Sequence, residues 1–139
     1  MRPMNTDQCI FCKIIKKEIP AEIVYDDSEA VGFLDINPVN EGHLLLIPKE
    51  HHESMSATPD DLVGKLFTTA KHIMPKLKEA TKADFIAVTV VGTDVPHFHI
   101  HLVPRKKDDG LAGFWPTKKY ESDEELKLIG EKIRNSLEE

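Results

Sequence analysis

The alternation of apolar and polar residues along the chain predicts five β-strands. Two apolar runs, EIVYDD and EAVGFLDI, are separated by the turn-forming residues Asp26, Asp27 and Ser28, which is the pattern of a β-hairpin. Three more runs, HLLLIPKE, DFIAVTVVG and HFHIHLVPR, are also typical of strands, and a short loop from Gly92 to Pro96 joins the last two. With the helices described next, these strands predict an α+β domain built on an antiparallel sheet.

Two main helices and one short helical turn complete this prediction. The segment CIFCKIIKKEIP predicts a short amphipathic helical turn that Pro20 stops. Thr58 as N-cap, followed by a proline at the first helical position, predicts the start of a longer helix, which Pro75 must end or kink. A capping box that begins at Ser122 predicts the final helix, whose apolar stripe consists of Leu126, Ile129, Ile133 and Leu137.

Length and composition fit one globular domain. The chain has 139 residues, 40% of them hydrophobic and 30% charged, so we expect a single domain over 1–139, with its core at 9–105 and a C-terminal helix at about 122–137. The formal net charge of −6 argues against binding to duplex nucleic acid, because such proteins usually carry a basic face. The segment MRPMNTD contains no apolar run of the kind found in signal peptides. No apolar run in the sequence approaches a length of about 18 residues, which a membrane-spanning helix requires. We therefore expect no membrane contact and a cytoplasmic location.

The segment PHFHIHLVPR places three histidines at alternate positions. In a β-strand, His97, His99 and His101 would share one face of the sheet and the apolar residues between them would share the other. Buried imidazoles without partners carry a desolvation cost, so three on one face indicate a functional site. The residues alone leave three interpretations open: a hydrogen-bonded structural cluster, a metal site, and nucleophilic or acid-base catalysis.

Three further segments precede the histidine segment and together with it form a recognisable pattern. CIFCKII, EIPAEIVYDD and AVGFLDINPVNEGHLLLIPKEH precede HFHIHLVP, and in this order and spacing the four segments resemble bacterial Hint-like members of the histidine triad (HIT) superfamily of nucleotide hydrolases and transferases. The resemblance covers roughly Cys9 to Arg105. It implies a HIT-like antiparallel sheet of about five strands with two main helices, and a homodimer whose sheets join across the interface.

The resemblance implies catalytic roles for three histidines. His99, the middle histidine of the motif, would be the nucleophile: its ring nitrogen would attack the α-phosphorus of a nucleotide and form a nucleotidyl-histidine, which water then hydrolyses. His101 and the upstream His43 would face the phosphate. One of them would assist proton delivery to the leaving group, and both would stabilise charge on the phosphoryl oxygens.

The FLDI segment resembles the part of the family site that holds the nucleoside. Phe33 and Ile36 would flank a purine base, and Asp35 would accept hydrogen bonds from the ribose hydroxyls, since one carboxylate can accept from two adjacent hydroxyls. Each assignment has an alternative in ordinary structure. Phe33 also fits plain core packing, and Asp35 also fits a solvent-facing turn.

The two cysteines are spaced as Cys9-x-x-Cys12, which by itself fits a redox pair, half of a metal site or two unrelated thiols. A thioredoxin-like role would need a βαβ context, and the predicted elements do not supply one. The resemblance implies a zinc site, because Hint-like bacterial proteins bind zinc through this cysteine pair, the histidine after IPK and the first triad histidine. Those positions hold Cys9, Cys12, His51 and His97, a closed set that is typical of a structural zinc site. His52 and His72 are then predicted to be surface residues.

The loop before the triad departs from the family pattern. Members of this type usually have a longer glycine-rich loop, with an asparagine and a Gly-Gln-Ser-like segment that contacts phosphate and leaving group, whereas this chain has the shorter VVGTDVPH. An ionised Asp94 beside a polyphosphate leaving group would be repelled by it. We therefore expect either that Asp94 points away from the site or that the preferred leaving group is not a bulky anion. An amine leaving from a nucleoside phosphoramidate would tolerate this carboxylate.

The favoured interpretation is a nucleotide hydrolase of the HIT type, acting on a nucleoside phosphoramidate or a dinucleoside polyphosphate and releasing a nucleoside monophosphate through a covalent intermediate on His99. The first alternative is a zinc-stabilised nucleotide-binding module with little catalysis, which the altered loop favours. The second alternative is a structural or metal-storage protein that uses the histidine face itself, and it predicts several metal ions per chain.

Overall fold

The computed structural model describes residues 6–111 and 117–138. The chain divides into two compact units, Met1–Lys107 and Asp108–Glu139, so a single domain over the whole length stays a prediction. Most of the segment MRPMNTD lies outside the described residues. Within the described part, no helix combines the length and the apolarity that crossing a bilayer requires.

The first unit contains the predicted five-stranded antiparallel sheet. Asp27 closes the predicted hairpin, because its Oδ1 accepts hydrogen bonds from the backbone N–H groups of Glu29 (2.8 Å) and Ala30 (2.7 Å). All pairings are antiparallel, and the order across the sheet is β1-β2-β3-β5-β4. The α+β fold class is confirmed. The strands are β1 Ile23–Asp26, β2 Ala30–Leu34, β3 Leu44–Pro48, β4 Phe85–Thr89 and β5 Ile100–Arg105.

A short 3₁₀ turn and two helices accompany the sheet in this unit: Thr6–Gln8, α1 Ile10–Ile15 and α2 Asp60–Thr81. One expectation about α2 is wrong: Pro59 takes the N-cap position, and the Thr58 hydroxyl donates instead to the Ser54 carbonyl (2.7 Å). Of the two effects expected of Pro75, an end of the helix is excluded, because Pro75 lies inside α2 and Leu77 beyond it packs against the buried core. A kink at Pro75 stays a prediction.

The second unit contains the helix α3, Asp123–Leu137. The predicted N-cap is present, because Ser122 Oγ accepts from the Glu125 backbone N–H (3.1 Å). The Glu125 carboxylate accepts from the N–H of Glu121 (3.0 Å), one residue before the N-cap, so the second bond of the capping box is displaced by one residue. None of the described side chains of α3 is buried. Its apolar stripe is therefore exposed, with Leu126, Ile129, Ile133 and Leu137 among the exposed apolar residues.

The triad segment alternates as predicted, but only part of it is a strand. β5 begins at Ile100, because the Phe98 backbone N–H donates to the His52 carbonyl (2.7 Å) instead of joining the sheet ladder. Phe98, Ile100 and Leu102 still belong to the buried apolar cluster on the α2 side. The rings of His97 and His99 contact Phe11 of α1, on the other side. The alternation therefore survives although two of the three histidines lie in the loop before β5.

Gly42 fixes the entry to β3 and with it the position of the next residue, His43. Its φ is +89°, and a Cβ atom there would lie 2.5 Å from Thr81 Cγ2. We expect Gly42→Ala to lower the free energy of unfolding by about 2–4 kcal/mol, measured by urea denaturation, because both strain and overlap result. Gly64→Ala is the matched control: it lies in α2 with nothing near its Cβ, so it should stabilise by about 0.5–1 kcal/mol. An unchanged midpoint for Gly42→Ala would contradict this account.

Candidate active site and metal centre

The predicted metal ligands come together from three parts of the first unit. Cys9 is the N-cap of α1 and Cys12 lies in its first turn, while His51 follows β3 and His97 precedes β5. Their ligand atoms all lie within 4.8 Å of one another. The Sγ atom of Cys9 is 3.4 Å from His97 Nδ1, and that of Cys12 is 3.3 Å from His51 Nδ1. The two Nδ1 atoms of the histidines are 3.0 Å apart.

These separations fit a tetrahedral metal shell. With Zn–S of about 2.3 Å and Zn–N of about 2.0–2.1 Å, neighbouring ligand atoms lie about 3.3–3.8 Å apart. The two cysteine–histidine separations lie in this range, and the two histidine nitrogens, 3.0 Å apart, lie slightly closer. The ring orientation of His97 fits as well, because its Nε2–H donates to the Pro48 carbonyl (2.9 Å) and leaves the Nδ1 lone pair facing the cysteines. The four residues can therefore hold one ion in a closed shell, with no position left for a substrate.

In the absence of a metal ion, burial favours the neutral forms of the Cys12 thiol and the His97 imidazole. Burial, reinforced by the hydrogen bond with Cys9, raises the pKa of the Cys12 thiol to about 12. Burial also lowers the pKa of His97 to about 4. A neutral imidazole is what a metal ion binds, whereas the thiol must lose its proton, and a cation in the cluster would favour that loss.

A second histidine cluster lies along the same face. His43 Nδ1 accepts a hydrogen bond from the Val39 backbone N–H (3.0 Å), so its Nε2 carries the proton and donates to His101 Nδ1 (3.0 Å). In the neutral His101 ring the remaining proton then sits on Nε2, an atom that is buried and makes no hydrogen bond with the described residues. The series of hydrogen bonds from Val39 through His43 to His101 therefore leaves the Nε2–H of His101 available to an anion.

His99 is held in the opposite tautomer. Its Nδ1–H donates to the backbone carbonyl of His97 (2.7 Å), so the lone pair of the neutral ring is on Nε2. That atom makes no hydrogen bond with the described residues, although Asp94 Oδ1 lies 3.4 Å away. The ring is fixed from the side by the edge of Phe11, with centroids 5.0 Å apart, and its centroid lies 4.9 Å from that of His101. A lone pair is thus held beside an N–H donor, as nucleophilic attack on a phosphate requires.

The FLDI residues divide between core and surface. Asp35 follows β2, and its Oδ2 lies 3.8 Å from His43 Nε2, while its Oδ1 accepts from the Asn37 backbone N–H (2.9 Å). Phe33 is only 4% exposed and packs edge-on against Phe11. Ile36 is 90% exposed. The structure therefore brings Asp35 to the histidines, but it places the two predicted base contacts in different environments.

The comparisons with known proteins decide the family. A family model described as the HIT domain matches residues 16–108. The chain belongs to the HIT family. A HIT-like protein of Methanocaldococcus jannaschii, named as uncharacterized, is 41% identical over 126 residues, which cover 87% of this chain and 98% of that protein. An adenosine 5'-monophosphoramidase of Saccharomyces cerevisiae is 37% identical over 86% of this chain and 77% of its own length.

Solved structures agree with this HIT fold. A zinc-bound histidine triad family protein of Mycobacterium smegmatis has a TM-score of 0.74 and 28% identity, and the alignment covers 95% of this chain and 99% of that one. Within this chain, the HIT match begins at residue 16, after both cysteines. Half of the metal cluster therefore comes from a segment that precedes the HIT match, and α1 brings that segment to His97.

Phe11 is a site residue that the sequence analysis missed. It lies between the two cysteines, and its ring contacts both His97 and His99 edge-on. The spacing of CIFC held the necessary information, because a helical turn that directs both thiols to one point fixes the residues between them too. His72 is exposed, as predicted. His52 is partly buried and bonds to Glu50, with 2.6 Å between Nε2 and Oε1.

The His43–His101 pair predicts how stability changes with pH. Burial lowers the pKa of His43, and burial together with His99 and His43 lowers the pKa of His101. As the pH falls, these two histidines therefore bind protons in the unfolded chain at a higher pH than they do in the folded protein. The free energy of unfolding should accordingly fall as the pH drops below the ordinary histidine pKa of about 6.5. We expect the free energy of unfolding of His101→Asn to change less between pH 7 and pH 5 than that of the wild type, measured by urea denaturation. The metal ligands are the same in both proteins, and parallel pH profiles would contradict the prediction.

Proposed function

We propose that this HIT protein is a nucleotide hydrolase that cleaves a purine nucleotide from its leaving group through a covalent nucleotidyl intermediate on His99. A nucleoside phosphoramidate or a dinucleoside polyphosphate would be the substrate, and a nucleoside monophosphate the product. The observation that carries the proposal is the tautomer of His99, whose Nδ1–H is bonded to the His97 carbonyl so that Nε2 keeps its lone pair. The relative named adenosine 5'-monophosphoramidase supports the reaction class.

The first chemical step follows from the positions of the histidines. Nε2 of His99 attacks the α-phosphorus, a P–N bond forms, and the bond to the leaving group breaks with its electron pair going to that group. His101 donates its Nε2–H to a phosphoryl oxygen or to the departing atom, and His43 supports it through the 3.0 Å hydrogen bond to Nδ1. Water then attacks the phosphorus and gives one proton to His101 Nε2, which restores the N–H donated in the first step, while the electron pair of the P–N bond returns to His99.

The nucleoside would lie beside Asp35. Its carboxylate, near His43, accepts hydrogen bonds from the ribose hydroxyls in this proposal. Ile36, which is 90% exposed, would contact one side of the purine base, and Phe33, which is 4% exposed, would lie behind the other side. Asp35 lies next to His43, whereas Asp94 lies next to His99, at the other end of the row formed by His43, His101 and His99.

The cysteine–histidine cluster is proposed to hold a structural zinc ion. The donor set of Cys9, Cys12, His51 and His97, its separations and the zinc-bound HIT relative support this assignment. Zinc would supply a cross-link between α1 and the segments that follow β3 and precede β5. His97 would orient His99 through its carbonyl while its ring is held in the cluster.

Capture of the intermediate tests the proposed function. The protein is mixed with adenosine 5'-phosphoramidate, quenched during turnover with an alkaline denaturant because the P–N bond of a nucleotidyl-histidine is acid-labile, and examined by intact-protein and peptide mass spectrometry without acidification. The expected result is an added AMP group on the peptide that contains His99, with free AMP accumulating in the solution. AMP binding without adduct or turnover would instead favour the zinc-stabilised nucleotide-binding module. The homodimer that the family resemblance implies is tested on the native protein, before quenching, by light scattering after size exclusion.

A further inference from the structure

The loop between β4 and β5 brings a carboxylate to the nucleophile. Asp94 Oδ1 lies 3.4 Å from His99 Nε2, the atom with the lone pair. The same oxygen accepts a hydrogen bond from the Val95 backbone N–H (3.0 Å), which fixes its direction. Gly92, with a φ of +75°, turns the chain two residues earlier. Asp94 therefore points towards the site, and the expectation that remains concerns the leaving group.

We propose that Asp94 determines leaving-group specificity, with its carboxylate disfavouring polyphosphate leaving groups and favouring amines. The inference rests on the proposed function and deepens it, because it selects the nucleoside phosphoramidate between the two substrate classes named there.

The charges around the reacting atoms support this selection. The charges of Asp94 and Asp35 both act to raise the pKa of His101, so two carboxylates contribute negative potential at the phosphate-facing histidine. Partial burial acts to raise the pKa of Asp94, but hydrogen bonds from its own and the Val95 N–H groups, with His99 and His101 nearby, hold it below its ordinary value. Asp94 is thus ionised at neutral pH, and its carboxylate, 3.4 Å from His99 Nε2, places a negative charge beside the reacting atoms.

The two substrate classes share the α-phosphate and differ beyond the bond that breaks. A polyphosphate leaving group carries several negative charges into this field, and each is repelled by the carboxylate. A leaving amine takes the electron pair of the P–N bond and one proton from the site histidine, departs neutral, and becomes an ammonium by taking a second proton from water. The carboxylate therefore repels a departing polyphosphate but not a departing amine. Because Asp94 is 65% exposed, solvent weakens this discrimination without changing its sign.

The test compares selectivity in wild type and Asp94→Asn. The quantity measured is kcat/KM for adenosine 5'-phosphoramidate divided by kcat/KM for diadenosine tetraphosphate, in Mg²⁺-free buffer at low salt. We expect Asp94→Asn to lower this ratio roughly tenfold, mainly by improving turnover of the polyphosphate. Asp61→Asn, which removes the same charge from an exposed position in the first turn of α2, should leave the ratio unchanged. An unchanged ratio in Asp94→Asn would overturn the inference.

A salt titration provides a second measurement that does not depend on the folding of the variant. Raising the ionic strength to about 0.5 M screens the carboxylate, so the wild-type ratio should fall towards that of Asp94→Asn. A wild-type ratio that does not respond to salt also counts against the inference. Failure of the proposed function gives a different result, since the wild type would then turn over neither substrate. Turnover of the phosphoramidate with an unchanged ratio removes only the role of Asp94.

Discussion

Replacing His99 with alanine is expected to reduce AMP release from adenosine 5'-phosphoramidate by at least about 10⁴-fold, because no other group can form the covalent intermediate in the proposed mechanism. The neighbouring donors remain in this variant. His43 still donates to His101 Nδ1, so phosphate binding should be largely kept while the chemical step is lost. The measurements are single-turnover AMP release and the melting-temperature rise that AMP induces.

His72→Ala is the matched control for His99→Ala, since it removes one histidine from an exposed position on α2. It should release AMP at the wild-type rate. A His99→Ala protein that keeps more than about a tenth of the wild-type rate would exclude His99 as the nucleophile, because loss of a covalent nucleophile costs several orders of magnitude.

Replacing Cys12 with serine is expected to remove the metal ion and to destabilise the fold strongly. The Cys12 thiol is buried and lies 3.3 Å from His51 Nδ1 and 3.6 Å from His97 Nδ1, so its loss opens the closed shell. Because binding of a structural metal adds directly to folding stability, we expect the free energy of unfolding to fall by about 3 kcal/mol or more. Zinc content should fall from about one ion per chain to nearly none, measured by plasma mass spectrometry.

Two adjacent histidines provide the control for the metal centre. His51→Ala should reproduce the loss of zinc and of stability, because its Nδ1 belongs to the cluster. His52→Ala should retain the ion, because its ring bonds to Glu50. Several ions bound per wild-type chain would favour metal storage. Full stability of Cys12→Ser with unchanged metal content would contradict the proposed shell.

The fold was predictable because its main determinant is local. The alternation in HFHIHL specifies opposite faces for histidines and apolar residues, and the structure keeps that division. The beginning of β5 was not predictable, since it depends on a bond between the Phe98 N–H and the carbonyl of His52, far away in sequence. Pro75 shows the same limit: local rules allow either an end or a kink of the helix there, and the helix continues to Thr81 with Leu77 packed on the core.

For the site, the sequence predicted which residues meet in the metal cluster but not how the atoms of the site are used. The Cys–Cys–His–His cluster follows from the family resemblance, and the structure brings its ligand atoms within 4.8 Å of one another. The approach of Asp35 to His43 was not predicted and is seen only in the structure. The tautomers do not follow from the resemblance either, because they depend on carbonyl and N–H groups of the folded backbone, such as the His97 carbonyl that accepts from His99. The direction of Asp94 depends in the same way on loop geometry.

His97 connects the metal cluster to His99, and this changes how metal dependence should be interpreted. Its ring lies among the cysteines, while its carbonyl, 2.7 Å from His99 Nδ1, orients the proposed nucleophile. We expect zinc added to stripped protein to raise kcat until about one equivalent is bound, as an activating ion would. In this protein such activation would reflect preorganisation of an imidazole by an ion that never meets the substrate. Zinc-dependent turnover alone would therefore be no evidence for zinc catalysis, whereas replacing the ion with cobalt should leave the intrinsic rate of the chemical step unchanged.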